Sequence, residues 1–269
     1  AIISDVREQP GALPLLQYAL TELFERRDAN RLTAKAYEEI GGTLGALARR
    51  ADELYEGLDE ESQEAARQLF LRLVTLGEGT EDTRRRVLQA ELMSIGDDPD
   101  IMSMIIDAFG RYRLLTFDHD PQTRSSTVEV AHEALIRQWG RLRKWLLDSR
   151  EELRLQRRLT SATEEWENAK KDPSFLARGA RLQQFEEWMQ STNLALNDNE
   201  RHYITASFEA RESALAIEHE RKEREAALEK RSQNRLRALV GVMAVATIIA
   251  VILASLAIPE YASVLPQFL

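Results

Sequence analysis

The sequence predicts a mainly α chain with a winged-helix domain carrying a β-hairpin, a helical bundle and one transmembrane helix. Three observations predict it. Apolar residues recur at helical spacing along most of the 269 residues. Two runs, RYRLLTF (111–117) and STVEV (126–130), read as strands joined by the turn-rich DHDPQTRS (118–125). From Ala238 to Ile258 the sequence ALVGVMAVATIIAVILASLAI holds 21 residues and no charge.

The elements follow in order. Pro14 suits the first turn of a helix, where its missing N–H costs nothing. Leu15, Leu16, Ala19, Leu20 and Leu23 then recur on one face. Thr33 is an N-cap for a short helix that ends at Gly41-Gly42, and a third helix runs from Thr43 to Tyr55. Asp59 opens a helix whose Ala66, Leu69, Phe70 and Leu73 share a face. DTRRRVLQAEL (82–92) reads as a second helix, and Asp98-Pro99 starts a third with Ile101, Ile105 and Phe109 in line. Three helices followed by a hairpin is the order of a winged helix. Then comes His132, one of only four histidines, at the joint between the strand VEV and a single helix with an apolar stripe of Leu135, Trp139, Leu142 and Leu146.

Residues 149–237 are charge-rich and helical, with Trp166, Phe175, Leu182, Phe185 and Trp188 spaced to close a small bundle around a boundary at Asp172-Pro173. From Asp198 the helical pattern runs unbroken into the uncharged segment, and no heptad repeat supports a coiled coil. That segment spans roughly 31 Å as a helix, the thickness of a hydrocarbon core, and its length argues against a buried core helix. Its N-terminal flank, RKEREAALEKRSQNRLR (221–237), carries seven Lys/Arg, whereas PEYASVLPQFL (259–269) carries none. The asymmetry places residues 1–237 in the cytoplasm of a single-pass plasma-membrane protein, with 259–269 as a non-cytoplasmic tail. The basic flank reads as an orientation and headgroup-binding element rather than a nucleic-acid arm. Ala246, Ala250 and Ala254 make a small-residue stripe that would let helices approach in a homo-oligomer, although alanine is common in such helices.

Composition excludes several classes. With 45 acidic against 36 basic residues and a formal charge of −9, the chain is a poor non-specific binder of nucleic acid. Without cysteine it has no disulfide and no thiolate metal site, which fits a reducing compartment. No metal site is expected. Glu60/Glu61 and Glu186/Glu187 are adjacent, so each pair points to different azimuths and is no acid/base couple. His202 and His219 sit on a polar helix and read as solvated. The chain opens on Ala1 inside an apolar run and shows no signal peptide, so the expectation is a piece of a longer protein.

Five stretches resemble the C-terminal half of a novel STAND NTPase, a signalling ATPase family related to AAA+ and NB-ARC switches. They are QPGALPLLQYALTELFERR (9–27), GGTLGALARRADELY (41–55), ARQLFLRLVTLGEGTEDTRRRV (66–87), VEVAHEALIRQWGRLRKWL (128–146), and RLTSATEEW with DPSFLARGARL (158–166, 172–182). The resemblance implies that residues 1–57 are a helical lid remnant, 58–148 the winged helix, 149–217 the bundle, 218–237 a charged juxtamembrane helix and 238–258 the span. It implies that ADP is held between an upstream NTPase core, the lid and the winged helix, and that exchange for ATP releases the winged helix. A residue resembling Pro14 lies near the base and one resembling His132 reaches the β-phosphate. The related lid motif is Gly-x-Pro, one residue shorter than Gly11-Ala12-Leu13-Pro14. No G-x-x-x-x-G-K-[ST] loop occurs, so no catalytic residue is expected and this chain alone is not an enzyme. ADP or ATP belongs to the full-length protein. The partners implied are the upstream NTPase domain, the membrane and copies of the chain. The rival reading is a membrane-anchored winged-helix transcription regulator. Against it, PDIMSMIIDAFG has Asp100 and Asp107 and no Lys or Arg. A passive membrane tether is the third.

Overall fold

The helix starts after Thr33, Gly41 and Asp59 each have a side-chain or backbone reason. The computed structural model describes residues 12–96, 98–121 and 123–264 and divides into two units, Ala1–Phe208 and Glu209–Leu269. The described residues are mainly helical, with 71% helix and 8% strand. The first unit opens with α1 (Ala12–Glu25), α2 (Ala34–Glu39) and α3 (Gly42–Glu56). Thr33 caps α2 by accepting from the Ala36 amide at 3.1 Å. Gly41, at φ +80°, makes the left-handed turn into α3 that a side chain would strain. Leu15, Ala19 and Leu23 bury against Ile40, Leu47 and Ala51, while Leu20 of the expected stripe lies at the surface. Arg50 of α3 holds Glu22 of α1 at 2.6 Å.

Asp59 caps α4 (Glu60–Arg72), accepting from the Ser62 amide at 2.8 Å. The next segment departs from expectation. Residues 82–92 are not one helix but β2 (Thr83–Arg84), β3 (Val87–Leu88) and α5 (Gln89–Met93). β2 pairs antiparallel with β1 (Val74–Thr75), and Val87 pairs with Val128. Asp82, read as the first residue of a helix, accepts instead from the Gly77 amide at 2.8 Å and from Arg150 at 3.2 Å. Long-range pairing thus overrides local helical spacing.

Asp98 and Pro99 open α6 (Pro99–Arg111) as expected, burying Met102, Ile105, Ile106 and Phe109. β4 (Leu115–His119) and β5 (Ser126–Val130) form the hairpin, and the sheet order is β3-β5-β4. After β5 the expected single helix is two, α7 (Glu133–Gln138) and α8 (Gly140–Asp148), broken at Trp139. Trp139 takes extended backbone at ψ 102° because its ring is wholly buried. The indole meets Phe70 at 4.8 Å and Trp145 at 5.4 Å edge to face, and its Nε1–H donates to Asp52 of α3 at 2.8 Å. All four residues of the predicted stripe, Leu135, Trp139, Leu142 and Leu146, are nonetheless buried.

α9 (Arg150–Asn168), a 3-10 turn at Pro173–Phe175 and α10 (Gly179–Ser191) complete the bundle. Asp172 caps the 3-10 turn through the Ser174 amide at 2.8 Å. Trp166, Leu182, Phe185 and Trp188 are buried, but Phe175 is about half exposed, and it is its carbonyl that is held, by the Tyr203 hydroxyl at 3.2 Å.

The last helix, α11, runs Asp198–Val264. Its first turn is fixed in the first unit by a buried polar network. Arg72 at the end of α4 grips Glu200 with both nitrogens, at 2.8 and 2.5 Å. Thr160 of α9 donates to the same carboxylate at 2.5 Å, and the Asn197 amide at 3.0 Å. Burial pushes the Glu200 carboxyl up, but these donors outweigh it and hold the group below its ordinary range. The second unit is helical, and among the described residues this one helix is long and apolar enough to cross a membrane; none of its apolar window is buried.

Candidate functional site

His132 stands where the sequence puts it, two residues beyond the end of β5 and at the N-cap of α7. The β5 register, fixed by five pairs with β4, sets where its backbone leaves the sheet. Its ring is half-buried and makes no capping hydrogen bond. A structural cap would use the side chain to accept from the first turn; this one does not. Burial lowers the imidazole below its usual value, and the neighbouring Arg84 charge lowers it further. The ring is therefore neutral near pH 7, with one N–H to donate.

Arg84 is the second member. It lies on β2, and its Nη1 reaches the Ala131 carbonyl at 3.5 Å and Glu129 at 3.6 Å. Both contacts are long, so the guanidinium is loosely held and partly in solvent. Arg86 reaches Glu129 at 3.6 Å and Asp118 at 3.3 Å. Arg137 of α7 pairs with Glu81 at 2.6 Å. An imidazole N–H beside a guanidinium fork matches the oxygens of a phosphate. The helix that follows has six residues rather than the long run expected, so its dipole adds less than the sequence suggested.

Pro14 falls in the first turn of α1, but its side chain lies outside the described residues. Arg84 is not legible in the sequence, because the spacing of 82–92 predicts a helix. In strand geometry alternate side chains part company. Arg84 and Arg86 go to Glu129, whereas Arg85 turns to the Arg72 carbonyl at 3.4 Å and Glu91 at 3.8 Å. Three successive arginines were the available signal. Among the described residues no group of three His, Cys, Asp or Glu side chains could hold a metal ion.

The chain is thus a helical protein with a small antiparallel sheet, and His132 and Arg84 meet at its strand–helix joint. The family model Novel STAND NTPase 1 matches residues 1–174, and the chain belongs to that family. No curated protein and no solved structure matches it.

Proposed function

We propose that the chain is the regulatory C-terminal part of a membrane-anchored STAND-type signalling ATPase. In this reading α1–α3 are the lid and residues 58–148 the winged helix. The order α4, β3, α5, α6, β4, β5 with the sheet order β3-β5-β4 is that of a winged helix and supports the assignment. The observation that carries the nucleotide role is the uncapped, half-buried His132 ring beside the Arg84 guanidinium. These two fit the terminal phosphate of ADP, which would supply the negative charge that keeps the resting state closed; Pro14 would lie near the base. His132 donates through its ring N–H and Arg84 through its fork. Neither residue does chemistry, and the chain by itself is not an enzyme in this reading. Nucleotide state would then pass to a sensor or effector linked to the membrane.

A hydrogen bond to a charged group is worth about 1.5–3 kcal/mol, or roughly ten- to a hundredfold in affinity. His132→Ala in the full-length protein should therefore weaken ADP binding by that factor while circular dichroism stays unchanged. Calorimetry on the two proteins decides it: equal affinities return His132 to a merely structural place.

The transcription-regulator reading is disfavoured by α6. Asp100 and Asp107 lie on it, and its only cation is Arg111 in the last turn. Phosphate would repel such a helix. The expected outcome is no salt-sensitive duplex binding by the chain at micromolar concentration; its appearance in an anisotropy titration would favour the rival.

A further inference from the structure

The charged part of α11 divides in two. In 218–225 the side chains pair along the helix. Glu218 holds Lys222 at 2.6 Å, Glu220 holds Arg224 at 2.5 Å and Glu225 holds Arg221 at 2.8 Å. Lys222 also draws the Glu218 carboxyl below its ordinary range. Four acids against three bases leave that stretch at −1. In 226–237 the only acid is Glu229, and it accepts from Gln233 at 3.4 Å. Among the described residues Lys230, Arg231, Arg235 and Arg237 have no carboxylate partner, and the stretch carries +3. So of the seven cations in the flank, three are matched and four are not.

The position of those four matters. Arg237 is the last residue before the uncharged run, and Lys230 is seven residues earlier, about 10 Å along the helix. The headgroup zone on one side of a bilayer is roughly 5–8 Å thick. Long basic side chains snorkel along the helix to reach it. Their azimuths also differ: Arg231 and Arg235 lie on one side of the helix, Lys230 and Arg237 on another. Together they cover an arc of roughly 160°, a little under half of the helix surface, so they form a half-collar.

We propose that Lys230, Arg231, Arg235 and Arg237 form a half-collar that binds anionic phospholipid headgroups, while the matched stretch 218–225 stands off the surface as a near-neutral stalk. The proposal rests on the reading that the uncharged segment enters a membrane. The specificity is for the phosphate of an anionic lipid over a zwitterionic one, because a net +3 half-collar gains attraction only from net negative charge. Each cation near such a surface contributes about fivefold in affinity at low salt.

The test is the full chain reconstituted in mixed phosphatidylcholine–phosphatidylglycerol bilayers, with spin-labelled forms of each lipid. The wild type should immobilise labelled phosphatidylglycerol at least fivefold more strongly than labelled phosphatidylcholine. The fourfold variant Lys230→Gln/Arg231→Gln/Arg235→Gln/Arg237→Gln should bring that ratio close to one. The variant Arg221→Gln/Lys222→Gln/Arg224→Gln should keep the wild-type ratio. A wild-type ratio of one, or equal losses in both variants, overturns the half-collar although the chain remains in the bilayer. Alkaline carbonate that strips the wild-type chain from the bilayer overturns the membrane reading, and the half-collar with it.

Discussion

Arg84 and Arg85 are neighbours with opposite fates, one at the notch with His132 and the other turned to the end of α4. His132 was legible in the sequence because a polar ring at a strand–helix joint needs a reason. Arg84 was not, because nothing local says that 83–84 pairs with 74–75. The pair makes a pH prediction. The His132 imidazole is lowered in the free chain by burial, then by Arg84. A phosphate beside it favours the charged form and raises it. Binding therefore takes up protons. ADP affinity should be greatest below the free-chain value and fall as pH rises through the bound-state value. Affinity of the full-length protein measured from pH 8 to pH 6 should climb, and His132→Asn should flatten the climb. A parallel climb in the variant would place the titrating group elsewhere.

The helices that local spacing could predict, α1 to α4 and α6, are present, and those with a predicted cap, at Thr33, Asp59 and Asp98, begin just after it. The elements it missed are those set by distant partners. β2 and β3 exist because of β1 and β5, and the α7–α8 break exists because Trp139 reaches Asp52. The same holds for the Arg72–Glu200 pair, whose members are 128 residues apart and were no motif. Such a buried pair is weak support for stability when compared with apolar residues of equal volume, but breaking it leaves a stranded charge. Arg72→Met should therefore cost about 3–5 kcal/mol. At roughly 2–4 °C per kcal/mol for a unit of this size, the melting temperature falls by on the order of 10 °C. The double variant Arg72→Met/Glu200→Leu should recover most of that loss. Thermal melts of the chain in mild detergent, followed by circular dichroism, measure both; a double variant as unstable as the single would mean that packing, not charge, is what Arg72 supplies. What the pair adds is register: it fixes the first turn of α11 to α4 and α9 and to no other position.

For the chain as a whole, charge and hydropathy together make a directional statement. Twenty-one uncharged residues end α11's charged stretch, with seven Lys/Arg in the seventeen residues before them and none in the eleven after. From 238 to 254 the segment is exposed in the second unit, with Val242 at 67% and Leu253 at 62%, which is not how a soluble core helix presents its side chains. Lys and Arg near a span resist translocation, whereas acidic residues contribute little. The near-neutral stretch 218–225 therefore does not weaken the signal, which comes from the basic residues themselves. If His132 and Arg84 hold ADP as proposed, the first unit is expected on the side where nucleotide is plentiful. Protease added to intact cells should leave residues 1–237 whole, and should digest them once the membrane is permeabilised. Replacing Lys230, Arg231, Arg235 and Arg237 with Gln and adding four Lys after Pro259 should invert a fraction of the chains. Digestion of the unmodified chain from outside would reverse the topology, and would place His132 and Arg84 on a side where the proposed switch has no ADP to hold.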